Sequence, residues 1–368
     1  MTSGVLAILG SGETAPGMTK IHRKLLKAIP DVRAVNLDTS YGFQLNVPQM
    51  SEKLEDYFAT SLHLAMTTLH FPAYERASEI ERALFKQGVR DANYVFAGPG
   101  SPTYALAQWA PLRFEEDLLS VLHQGGTLCI SSAASLTLGA HTAPIYEIYK
   151  VGGLSPRWSN GLNVLGAFGL NCAVIPHFDN AEGRNYDTRF CYLGEPRLLE
   201  LEGQLPTGVA TLGVDEHTAV ILDFARDELR VEGRSNGYWR FDGDSLTLEN
   251  GHSYELDNLR NAAPSQPPVE VDSHHDHRDP LIQLAEVAAL HTEAGVAALA
   301  RLVQLATSAK EGLIDPAPLI DGVLQARANL RAEGSFEVAD VLRELLVNNG
   351  IEVQDTPSGA VWSITAHI

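Results

Sequence analysis

From its first residues to about position 225, the chain alternates short apolar runs with longer stretches of helical period. The runs fall at 5–9, 32–37, 94–97, 127–131, 172–176 and 209–213. Each is largely apolar at successive positions, as expected of strands buried on both faces. Segments of helical pattern, such as 20–28 and 79–87, lie between several of them. Strands separated by helix-length segments predict a mostly parallel sheet with helices on both faces. In that architecture functional residues gather in loops beyond the carboxyl ends of the strands.

The period changes at about Thr218. Short β segments at 219–222, 228–232, 238–241 and 245–248 are punctuated by Gly and Asp, as in hairpins. Residues 258–280, with Pro264, Pro267 and Pro268, carry no helical or strand period and are expected to form a linker. Residues 281–349 are helical in pattern. Asp315-Pro316 supplies a cap before a first-turn proline, Ser335 caps a later helix, and Gly350 suits its end. A terminal hairpin is expected around residues 355–359. The predicted organisation is therefore an α/β domain over 1–257, a linker over 258–280, and a small helical domain over 281–368 that ends in the hairpin. No internal repeat is evident.

Composition adds exclusions. The 368 residues carry 46 acidic against 27 basic side chains, a formal charge of −19. That balance opposes broad attraction to nucleic-acid phosphates or anionic lipid. Apolar and charged fractions of 45% and 20% are those of a globular protein, so wholesale disorder is excluded. No apolar run reaches the roughly 18–20 residues of a membrane span. The first residues lack a basic region and a small-residue cleavage site, so no signal peptide is expected. Three cysteines, Cys129, Cys172 and Cys191, are too few for a disulfide framework or a thiolate zinc site. A cytoplasmic protein without a membrane partner is the expectation.

The candidate chemistry lies at the ends of the apolar runs. Residues 127–135 form a buried strand that enters small and hydroxylic residues, with helix-compatible 136–140 next. A strand, a sharp turn and a helix that present a serine form a nucleophile elbow. His177, in Pro176-His177-Phe178-Asp179, follows another strand and is the candidate base for Ser132. Glu216, in the turn before Thr218, and Glu147 are alternative carboxylates to orient the imidazole. The turn Gly98-Pro99-Gly100 offers backbone N–H groups for an oxyanion. Arg184 and Arg189, just beyond His177, are candidates to grip a substrate carboxylate. The turn Gly10-Ser11-Gly12-Glu13 lacks the full dinucleotide fingerprint, so no nucleotide cofactor is expected. His274, His275, Asp276 and His277 lie in the linker without a fixed outer shell, so no metal site is expected either.

Taken in order, a glycine turn near 98, an elbow serine at 132, Pro176-His177-Phe178 and Thr188-Arg189 resemble the peptidase E and cyanophycinase family of serine peptidases. The resemblance spans about residues 4–225. It implies a flavodoxin-like, class I glutamine amidotransferase-like three-layer fold. It also implies Ser132 as nucleophile, His177 as base, Gly98, Gly100 and the amide of Ala133 at the oxyanion, and Arg189 toward an aspartyl carboxylate. Glu216 matches the family's glutamate over more neighbouring residues than Glu147 does. The implied activity is hydrolysis of a small acidic peptide or amide through an acyl-enzyme. Ile130 and Ala134 stand where the family elbow has glycines, and Pro99 replaces a glycine of the oxyanion turn. The alternative is a catalytically silent, ligand-binding relative.

Residues 339–346, Gly350-Ile351, residues 355–359 and Trp362 resemble the C-terminal end of cysteinyl-tRNA synthetase. That resemblance implies a borrowed helical domain and a weak tRNA contact, with homo-oligomerisation as the other use of such a domain. Residues 277–368 hold 6 basic and 12 acidic side chains, which opposes strong RNA binding.

Overall fold

In the computed structural model the described residues are 4–151, 155–183 and 185–260, residues 324 and 328, and the backbone of 351–356 and 359–364. The chain divides into two compact units, Met1–Ser273 and His274–Ile368.

The first unit holds strands β1 (Val5–Leu9), β2 (Ala34–Leu37), β3 (Met66–Leu69), β4 (Tyr94–Ala97), β5 (Thr127–Ser131), β6 (His141–Thr142), β7 (Ser159–Asn160), β8 (Cys172–Ile175), β9 (Ala210–Val214), β10 (Thr218–Asp223), β11 (Glu228–Gly233), β12 (Gly237–Phe241), β13 (Asp244–Leu248) and β14 (Ser253–Glu255). Its main helices are α1 (Pro16–Lys27), α2 (Val47–Ser61), α3 (Glu79–Asp91), α4 (Pro102–Trp109) and α5 (Phe114–His123).

Eight strands form one sheet in the order β14-β11-β10-β1-β5-β4-β2-β3. The five from β1 to β3 in that order are parallel, whereas β10, β11 and β14 add antiparallel edges. The two-residue period of a strand sends Leu6 and Ile8 into the core layer that contains Phe85, Val89, Leu118 and Leu122 of α3 and α5. It sends Ala7 and Leu9 into the layer with Met18, Ile21 and Phe58 of α1 and α2. Helices thus cover both faces, and the fold is the three-layer, flavodoxin-like α/β architecture.

Local chemistry accounts for the covering helices. Ser78 and Glu81 close a reciprocal capping box at the start of α3, and Ser101 caps α4 just before Pro102. Phe71, Phe85, Phe114 and Trp109 stack in succession, with centroids 4.6, 5.3 and 5.4 Å apart. Each such pair adds about 0.5–1.5 kcal/mol beyond area burial.

Three features differ from the sequence pattern. First, β8 and β9 do pair in parallel, but they sit in a separate sheet ordered β13-β12-β9-β8. Both edges of β1 are taken, by β5 and β10, so no position beside it remains for them. Second, β3 is an extra edge strand with a half-exposed pattern, so no continuous apolar run marks it. Third, a short helix, Leu256–Arg260, extends into the segment expected as linker.

In the second unit, Ile351–Thr356 pairs antiparallel with Gly359–Ile364, so the terminal residues do form a hairpin. The helices expected over 281–349, the His274–His277 cluster and most of the expected linker lie outside the described residues. Among the described residues no helix is long and apolar enough to cross a membrane.

Candidate active site

Strand β5 delivers its last residue, Ser131, fully buried, and the chain then turns sharply at Ser132. Ser132 has φ of 51°, in the left-handed region, at a cost of roughly 1–2 kcal/mol for a residue with a Cβ. The surroundings hold it there. Ala134 N–H donates to the Gly98 carbonyl at 3.3 Å, and the Ser135 hydroxyl donates to the Ser132 carbonyl at 2.7 Å. The segment expected to continue as an ordinary helix is a 3₁₀ turn, Ser132–Leu138. The hydroxyls of Ser135 and Thr137 bond carbonyls three residues back, which favours the tighter winding. Ile130 and Ala134, the non-glycine positions of the elbow, are buried in one apolar cluster, and Ser132 keeps its strained geometry beside them.

His177 follows the carboxyl end of β8 and also has a positive φ, 48°. Its N–H donates to Gly10 O at 3.2 Å, and its carbonyl accepts from Cys191 N–H at 3.1 Å. Held in this way, the imidazole places Nε2 2.8 Å from Ser132 Oγ and Nδ1 2.7 Å from Glu216 Oε1. Asn180 Nδ2 donates to the same Glu216 oxygen at 3.0 Å, and Glu216 N–H donates to Asp179 Oδ1 at 2.7 Å. The bond from His177, followed by the one from Asn180, holds the Glu216 carboxyl below its ordinary range. An ionised carboxylate only accepts, so Nδ1 carries a proton, and in the neutral imidazole Nε2 then presents its lone pair to the Ser132 hydroxyl. That arrangement can take a proton from the serine.

The neighbouring Asp215 behaves oppositely. Burial raises its carboxyl to about 6 despite the Asn236 N–H bond, and the charges of Asp179 and Glu216 add to the rise.

The oxyanion candidates border the elbow. Gly100 has φ of 137°, and a Cβ there would lie 1.9 Å from Ser40 O, so only glycine fits. Pro99 has no N–H to donate, and its carbonyl accepts from the Ser40 hydroxyl at 2.9 Å. The Ala133 amide lies at the second position of the 3₁₀ turn, where the helix supplies no acceptor for it.

Other sequence candidates are elsewhere. Glu147 Oε1 accepts from Thr103 Oγ1 at 2.8 Å, and the nitrogen that either glutamate was a candidate to orient is bonded to Glu216. Arg189 makes two bonds to Asp187, both at 2.9 Å, and one to Glu195 at 3.1 Å. A substrate carboxylate would have to compete with both. Arg184 lies outside the described residues.

Sequence reasoning did not single out Asp179, Asn180 or the bridging role of Gly10. A polar pair directly after Pro176-His177-Phe178 was the available signal. Tyr192 was also missed; its ring centroid is 6.4 Å from that of His177, and it stacks on Tyr149. Burial pushes the thiols of Cys129, Cys172 and Cys191 up to about 12, which leaves them unreactive at neutral pH. Among the described residues no group of His, Cys, Asp and Glu is arranged to hold a metal ion.

No family model matches the chain. A crystal structure of a peptidase from an acI-B1 Actinobacterium superposes with a TM-score of 0.54 at 21% identity, covering 69% of this chain and 97% of that one. A putative peptidase E protein from Listeria monocytogenes EGD-e gives a TM-score of 0.40 at 10% identity, over 67% of this chain and 98% of that one. Among curated sequences, the cysteine–tRNA ligase of Nitratidesulfovibrio vulgaris (strain DSM 19637 / Miyazaki F) is 53% identical over 51 residues, 14% of this chain. That of Cutibacterium acnes is 40% identical over 52 residues. The chain spans only about a tenth of the length of these ligases. It shares its fold with a solved peptidase, and a short stretch of it resembles cysteine–tRNA ligase.

Proposed function

We propose that this protein is a serine hydrolase of the peptidase or amidase type, acting on a small acidic peptide or amide in the cytoplasm. The observation that carries the reading is the relay Ser132 Oγ, His177 and Glu216, with contacts of 2.8 and 2.7 Å. The shared fold with a solved peptidase supports it. In the proposed reaction Ser132 Oγ bonds to the substrate carbonyl carbon while its proton passes to His177 Nε2. The Ala133 amide and the Gly98–Gly100 turn stabilise the resulting oxyanion. His177 then protonates the departing amine as the carbon–nitrogen bond breaks. Water attacks the acyl-enzyme and gives a proton to His177, which passes it to Ser132 Oγ as the acyl–oxygen bond breaks, releasing the acid and free Ser132. Arg189 reaches a substrate carboxylate by exchanging it for Asp187 or Glu195. The reaction requires neither metal nor cofactor.

The test is hydrolysis of a panel of acidic dipeptides and isoaspartyl amides by wild type and His177→Ala. Turnover lost in the variant supports the reading. Background hydrolysis by both proteins across the panel, with saturable ligand binding retained, favours instead a silent relative, the reading that Pro99 at the oxyanion turn motivates.

A second reading concerns the other end of the chain. The identity with cysteine–tRNA ligases favours a weak tRNA contact by residues 281–368. It predicts salt-sensitive tRNA binding that is lost on truncation at about residue 260. Homo-oligomerisation through the same residues predicts a multiple of the chain mass for the full protein and a single-chain mass after that truncation.

A further inference from the structure

A cavity of about 330 Å³ lies beside the elbow, with Glu13, Lys53, Tyr41, Tyr57, Leu54 and Phe96 in its lining. That volume is at the lower end of those that hold small ligands. Its wall is shared with the candidate active site in two places. Glu13 Oε2 accepts from the hydroxyl of Ser131, the residue before Ser132, at 3.0 Å. Pro99 of the glycine turn also lines the cavity.

The lining is chemically mixed. Glu13 and Lys53 carry opposite charges, yet they do not pair with each other, and among the described residues neither has another ion-pair partner. The tyrosine hydroxyls are already engaged: Tyr41 OH with Asn36 and Ser51, and Tyr57 OH with Thr19. What these two residues offer the cavity is aromatic surface, which joins Leu54 and Phe96 as an apolar wall. Opposite charges without an ion-pair partner, in a lining that also holds apolar side chains, fit a ligand that carries both charges and an apolar branch.

We propose that this cavity binds a zwitterionic α-amino acid with an apolar side chain. The ammonium group pairs with Glu13, the carboxylate with Lys53, and the side chain packs against Leu54 and Phe96. The site requires no turnover and makes no use of Ser132 or His177. Because Glu13 also holds Ser131, occupancy is expected to bear on the segment that carries Ser132.

Calorimetric titration of the full chain with L-leucine tests the proposal, alongside isoamylamine and 4-methylpentanoate, each of which keeps one charge. Lys53→Met alters an exposed side chain, and Glu13→Gln keeps an acceptor for Ser131 while removing the charge. The expected result is saturable leucine binding, about tenfold weaker in each variant and for each single-charge analogue. Ser132→Ala is expected to bind leucine like wild type, whatever becomes of the hydrolase reading. Absence of saturable binding up to about 10 mM overturns the proposal, as does equal binding by the charge variants or loss of binding in Ser132→Ala.

Discussion

The backbone N–H of His177 donates to the carbonyl of Gly10 across 3.2 Å, so the imidazole hangs from the turn that follows the first strand. Gly10 N–H in turn donates to Thr218 O at 2.9 Å, and a Cβ on Gly10 would lie 1.9 Å from the Asp215 carbonyl. This one residue sets the approach of the loops that carry His177 and Glu216. Gly10→Ala is expected to destabilise the protein by about 3 kcal/mol, because backbone must shift to admit the methyl. Urea unfolding checks this. An unchanged midpoint would show that the turn is not tightly packed.

Glu216 and Glu147 separate cleanly by experiment. Glu216→Gln removes the charge that fixes the His177 tautomer, and the rate of covalent serine labelling is expected to fall by about 10⁴. Glu147→Gln changes a group bonded to Thr103, and labelling is expected to stay within a factor of about three. Equal losses in the two variants would contradict the assignment of the orienting acid.

Asp215 gives a pH signature of its own. Its carboxyl rises to about 6 in the folded protein against 3.8 for the free side chain, so the folded state binds the extra proton between those values. The contribution of Asp215 to stability therefore falls as pH rises from about 4 to 6, by at most about 3 kcal/mol in total, and is flat above that window. Asp215→Asn is expected to be more stable than wild type above pH 6, with the gain vanishing below about pH 4. Unfolding of both proteins at pH 3.5, 5 and 7 measures it.

Local pattern and long-range pairing divided what could be read from the sequence. The parallel strands of the sheet centre were legible because burial on both faces makes residues 5–9, 94–97 and 127–131 continuously apolar. The edge strand β3 was not, since Thr67 is exposed and Thr68 and Leu69 are only partly buried. Ser132 and His177 were legible as residues that follow such strands. Their meeting was not, because it depends on His177 N–H reaching Gly10, 167 positions earlier in the chain. The neighbouring residues already favoured Glu216 over Glu147, whereas its contact with His177 depends on β10 pairing with β1. Arg189 looked available in the sequence, yet the turn that precedes Glu195–Glu202 brings Asp187 and Glu195 onto its guanidinium. No local periodicity encodes that clamp.

Ser132 as an activated nucleophile is open to covalent capture by a fluorophosphonate probe, read by peptide mass spectrometry. Wild type is expected to carry one adduct, on Ser132, with Ser132→Ala unmodified and His177→Ala slowed by at least about 10⁴. Equal modification of wild type and Ser132→Ala, or a wild-type adduct on another residue, would remove Ser132 as the nucleophile.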